Sequence, residues 1–88
     1  MKHSKVTVPW EEGLHLRPAA DLVRIAQKFR SALTLKCGDS IADLRSIMGI
    51  IALCATAGTV LELEASGDDE EIAAQAVVEM FIIDDSKE

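Results

Sequence analysis

Aromatic residues make up only 3% of this 88-residue chain, and its two cysteines, Cys37 and Cys54, share no C-x-x-C spacing and have no paired histidines beside them. These absences weaken metal and disulfide readings, and both thiols are expected to be reduced and packed as small hydrophobes. No apolar run approaches the ~20 residues of a membrane span. Met1-Lys2-His3-Ser4-Lys5 leads into an alternating strand pattern rather than an apolar signal region. The expectation is a cytoplasmic protein with no membrane partner. Basic residues are scarce, with nine Lys and Arg against fifteen Asp and Glu and a formal net charge of −6, which argues against nucleic acid as a general partner. No internal repeat or low-complexity linker interrupts the chain. With 49% apolar residues in this length, one domain spanning residues 1–88 around one core is expected.

The few basic residues are not spread evenly. Arg17, Arg24, Lys28 and Arg30 crowd one segment against Asp21, whereas acids concentrate at Glu62, Glu64, 68–71 and Asp84-Asp85. A local basic face on an acidic body suits docking to an acidic protein while a phosphate is held, and a solvated helix face is the plainer alternative.

Lys5-Val6-Thr7-Val8 alternates as a half-buried strand does, and Pro9 ends it by withholding a ladder donor. From Leu16 to about Phe29, Ala19, Leu22, Val23, Ala26 and Phe29 recur at helical spacing. Leu33, Leu35 and Cys37 alternate with Thr34 and Lys36, and Gly38-Asp39 then turns the chain into a shorter run through Asp43, which reads as a hairpin. The apolar run 47–53 after Ser46 is too short for periodicity to decide. Leu61, Leu63 and Ala65 alternate with Glu62 and Glu64 in a strand with one wet face, before Ser66-Gly67 turns it into a last helix. Asp69, Glu70 and Glu71 favour that helix's positive end, Ile72, Ala73, Ala76, Val77 and Met80 are expected to form its buried stripe, and 84–88 is expected to fray. The pattern is an α+β protein, and it permits helices on one face of a four-stranded antiparallel sheet.

The segment with the most chemistry is Gly13-Leu14-His15-Leu16-Arg17-Pro18-Ala19-Ala20. A helix start offers unpaired N–H groups and the positive end of a dipole, and Pro18 suits the first turn because its missing N–H would be orphaned there. Gly13 permits a tight entry. His15 is thereby a candidate phosphoryl nucleophile, with Arg17 neutralising phosphate charge and the Leu16 and Arg17 amides binding its oxygens. A lone histidine at a helix end more often caps or packs; the surrounding pattern favours the phosphate reading. His3, near the terminus, has no comparable setting.

That stretch, together with Ser46-Ile47-Met48-Gly49-Ile50 and Ala65-Ser66-Gly67, resembles the HPr family of histidine phosphocarriers in the bacterial phosphoenolpyruvate-dependent sugar phosphotransferase system. The resemblance spans nearly the whole chain. It implies a βαββαβα open-faced sandwich, four antiparallel strands covered on one face by three helices, with a short second helix capped by Ser46. It implies that His15 takes a phosphoryl group on Nδ1 from phosphorylated enzyme I and passes it to sugar-specific EIIA components, without cofactor, metal or turnover of its own. Ser46 would be the target of an HPr kinase/phosphorylase in hosts that have one, and transcriptional regulators are further candidate partners. Arg24, Lys28, Arg45, Ile47, Met48 and Ile51 are the candidate docking residues, with a monomer expected because the site must be open to successive partners.

Four positions depart from the family pattern. Leu16 replaces a smaller residue beside the histidine, Glu11 and Glu12 bring acids close enough to oppose a phosphorylated ring, and Trp10 is either a packing residue or an exposed contact. Two other readings are a nitrogen-branch or regulatory paralogue, against which Ser46-Ile47-Met48-Gly49 leans, and an interaction module with a structural histidine.

Overall fold

The computed structural model describes residues 1–83; the expectation of fraying at 84–88 lies outside the described residues. Strand β1 (Lys2–Thr7) is followed by α1 (Leu16–Ala26), β2 (Ala32–Cys37), β3 (Ser40–Asp43), α2 (Ile47–Ala52), β4 (Val60–Ser66) and α3 (Glu70–Ile83). The strands form one antiparallel sheet in the order β1-β4-β2-β3. Alternation does what it should: Leu33, Leu35, Leu61, Leu63 and Ala65 are buried under the helices, while Thr7, Lys36 and Glu62 are exposed. Each such fully buried leucine stabilises the fold by about 1.5–3 kcal/mol relative to an exposed one. The register Cys37↔Ser40 leaves Gly38-Asp39 as the hairpin loop. Gly38 sits at φ +61 in the first loop position, as a type II′ turn requires.

Several boundaries differ from the periodic pattern. Strand β1 starts at Lys2 and stops at Thr7; Val8 is buried but bonds the β4 approach, its N–H to Thr59 O at 2.9 Å and its carbonyl to the Gly58 N–H at 2.8 Å. Helix α1 ends at Ala26 rather than near Phe29. Lys28 and Phe29 donate only three residues back, to Ile25 and Ala26, a tightening turn. Phe29 still packs partly against the core. On α3, Ile72 is 66% exposed, and the buried line is Ala73, Ala74, Val77 and Phe81. So many of its residues are apolar that spacing does not single out a face. Packing against β1 and β4 selects one. Trp10 resolves as a packing residue, its ring 5.0 Å from that of Phe81.

The cysteine expectation holds only in part. Cys37 packs partly against the core, but Cys54 is exposed, just beyond the α2 C-cap Leu53 at φ +54, the left-handed position that ends many helices.

Helices α1 and α2 lie antiparallel, joined at both ends. At one end the Arg45 guanidinium donates to the carbonyls of Ala26 (3.2 Å), Phe29 (2.7 Å) and Ser31 (3.4 Å). At the other, the Leu14 N–H bonds Ala55 O at 2.9 Å. The short helix thus spans the long one.

Candidate functional site

The approach to α1 is built from backbone. Gly13 donates to Trp10 O at 2.9 Å, closing a turn, and adopts φ +79. A Cβ there would stand 2.5 Å from Ala55 O, so both the dihedral and the close approach demand glycine. Leu14 is buried and pinned to Ala55, which leaves His15 as the N-cap with φ −91 and ψ −165. Its carbonyl accepts the Ala19 N–H at 3.1 Å, but its side chain makes no capping bond. The imidazole is 38% exposed, neither sealed in the core nor loose.

With Pro18 buried at the third helical position, the first-turn donors left are the Leu16 and Arg17 amides, which have no carbonyl one turn back. Arg17 is exposed and makes no ion pair among the described residues. An anion beside the ring would meet two amides, the positive end of α1 and a free guanidinium. Glu12 is the opposing charge: its Oε1 lies 3.6 Å from His15 Nε2, and its side chain is 79% exposed. Leu16 is exposed and does not bury the ring.

The remaining sequence candidates are placed differently. Ser46 caps α2, its Oγ accepting the Gly49 N–H at 3.0 Å. It lies beside Arg45, hence toward the C-terminal end of α1 and away from His15. The Arg45 guanidinium is engaged by the carbonyls of Ala26, Phe29 and Ser31, where the chain leaves α1. Arg24 pairs with Asp21 at 2.8 Å, while Lys28 is exposed. Of the apolar trio, Met48 is 71% exposed, but Ile47 and Ile51 are half-buried against the core. Sequence reasoning missed the Ala55 carbonyl that braces the histidine loop; a backbone acceptor leaves no side-chain signal. Among the described residues no group of three or more His, Cys, Asp or Glu could hold a metal ion, and no helix is long and apolar enough to cross a membrane.

A part-exposed imidazole that makes no capping bond at the mouth of a helix, on an antiparallel sheet roofed by helices on one face, defines a small α+β domain whose helix entry suits an anion. Comparison with known proteins makes the class specific. A family model described as the PTS HPr component phosphorylation site matches residues 2–82. The phosphocarrier protein HPr of Xylella fastidiosa (strain Temecula1 / ATCC 700964) is 40% identical over 81 residues, 92% of this chain and 91% of that protein. The crystal structure of HPr-C-His from Thermoanaerobacter tengcongensis superposes with a TM-score of 0.93 at 38% identity, covering 100% of this chain and 99% of that one. A structure described as an HPr dimer from the same organism gives a TM-score of 0.76 at 38% identity, covering 96% and 97%. The chain belongs to the HPr family, the phosphocarriers of the phosphotransferase system.

Proposed function

We propose that this chain, acting as one HPr domain, accepts a phosphoryl group on His15 from phosphorylated enzyme I and hands it to the EIIA components of sugar permeases. The observation that carries this reading is the uncapped, part-exposed imidazole ahead of two free amides, with Arg17 beside it. Phosphoryl transfer requires positioning and charge neutralisation more than covalent chemistry from the protein, and this helix mouth supplies both. Attachment at Nδ1 follows from the family resemblance. The amides and the guanidinium hold the group only through exposed contacts, so the acceptor can remove it. The chain is then a covalent shuttle without turnover of its own, working as a monomer in the cytoplasm.

Ser46 is proposed as a regulatory phosphorylation site in hosts with an HPr kinase/phosphorylase. A phosphate on the α2 N-cap meets a favourable helix end and brings close to two negative charges beside the exposed Met48. Repulsion from an acidic face of enzyme I then slows exchange at His15, although Ser46 itself does not touch that ring. Docking is proposed through Arg17, Lys28, Met48 and Leu16, with Arg24 shared with Asp21.

Incubation with phosphoenolpyruvate and enzyme I tests the carrier reading. The expected product is an acid-labile, base-stable mass gain of one phosphate that disappears in His15→Ala and drains onto an added sugar EIIA. An unlabelled wild-type chain beside a competent donor overturns it.

A further inference from the structure

Two short-range bonds fix the backbone between Glu12 and His15: Gly13 N–H to Trp10 O at 2.9 Å, and His15 N–H to Gly13 O at 3.0 Å. The Glu12 side chain therefore meets the imidazole from a set direction, at one ring atom. Its Oε1 is 3.6 Å from Nε2, and Glu12 has no other hydrogen bond or ion pair among the described residues. Because the side chain is exposed, a shift of ~0.7 Å brings it to the distance of a charge-assisted bond.

A neutral imidazole carries its proton on one nitrogen and its lone pair on the other, and whichever nitrogen donates to a carboxylate is thereby not the nucleophile. We infer that Glu12 is a positioning residue that selects the phosphoryl-accepting atom of His15: it keeps the proton on Nε2, repels phosphoryl oxygens from that side, and leaves Nδ1 to attack. The Nδ1 lone pair forms the bond to phosphorus as the donor's P–N bond breaks, and that electron pair leaves with the donor nitrogen. Nε2 keeps its proton throughout, and the positive charge acquired by the ring faces the Glu12 carboxylate. The inference rests on His15 being the acceptor, but it explains an acid that otherwise only opposes an anion at this site.

The test uses the full chain in a His3→Ala background, so that one imidazole reports, with potassium phosphoramidate as donor and ammonia as leaving group. Ring-nitrogen NMR of isotope-labelled protein reads the isomer. Wild type is expected to carry the phosphoryl group on Nδ1. In Glu12→Ala the ratio of Nδ1 to Nε2 product falls by about tenfold, the scale of one nearby unit charge, and Glu12→Gln, which keeps an acceptor without charge, lies between. Thermal midpoints stay equal, which separates positioning from folding. An Nε2 product in wild type, no product from phosphoramidate, or a ratio indifferent to Glu12 overturns the inference. If enzyme I labels the chain while the ratio ignores Glu12, this inference fails alone; if phosphoramidate gives a Glu12-dependent ratio and enzyme I gives no label, the carrier reading fails alone.

Discussion

Helices α1 and α3 both begin after a glycine at positive φ, Gly13 at +79 and Gly67 at +154, yet the side chains at their entries are engaged in opposite ways. At α3, Glu70 accepts the N-terminal ammonium at 2.7 Å and the Gly67 N–H at 3.1 Å, while Asp69 accepts the Arg30 and Ser31 amides at 3.0 Å each and the Ser31 hydroxyl. At α1, the cap side chain accepts nothing and two amides stay open. Carboxylates tie the α3 entry to the chain terminus, to the Gly67 turn and to the segment before β2, whereas the α1 entry keeps a cap side chain that holds no amide. What separates them is the chemistry of the residues at the turn: acids that lock, or an imidazole that does not.

The comparison breaks most severely at the glycine of the open entry. Gly13→Ala drives a Cβ against Ala55 O at a dihedral that disfavours it, and a loss of about 2–3 kcal/mol in chemical denaturation is expected, with phosphoryl uptake falling in parallel. Next in size is Arg45→Ala, which uncaps three carbonyls for about 1–2 kcal/mol. Transfer rates from enzyme I corrected for folded fraction should stay at the wild-type value, and a large drop would return Arg45 to the docking surface. Ser46→Ala removes one cap bond and should cost about 1 kcal/mol by thermal melting. Ser46→Asp should instead slow uptake at low salt, and an unchanged rate there rules out repulsion.

The smallest effect on phosphate uptake belongs to the α3 entry. The Ser31 hydroxyl, then the Arg30 amide, hold the Asp69 carboxyl below its ordinary value of 3.8. The N-terminal ammonium and then the Gly67 amide do the same for Glu70, below 4.5. A carboxylate with a depressed folded value contributes stability that is present above its unfolded value and is lost as pH falls through the folded one. Asp69→Asn should therefore flatten the acid limb below about pH 4, where the unfolded carboxylate titrates, without altering phosphate uptake by His15. A pH series of urea melts reads it.

The sheet was legible because alternating Leu33-Thr34-Leu35 and Leu61-Glu62-Leu63 encode one face directly, and the Gly38-Asp39 turn set the hairpin. The resemblance supplied what periodicity left open: the topology and the helix after Ser46. On α3 the expected stripe holds at Ala73 and Val77 but not at Ile72, which is apolar yet exposed, and only tertiary packing decides between it and Ala74 or Phe81. At the site, His15, Arg17 and Gly13 could be read from the chain, and Glu12 was visible as a nearby acid. Its approach to Nε2 was not, since that depends on a turn closed by backbone bonds. Nor were the contacts of Arg45 legible, because its partners are carbonyls, two of them sixteen or more residues away.

The two-ended attachment of α1 makes the short helix a gauge for the long one. Eleven residues rise about 16 Å, and the grips at Ala55 and Arg45 are set to that span. One residue inserted into α1 would advance the far end by ~1.5 Å and swing it by ~100°, so one grip must let go. An insertion in the Gly38-Asp39 loop disturbs neither. The hairpin can grow at its loop, while α1 must keep its residue count.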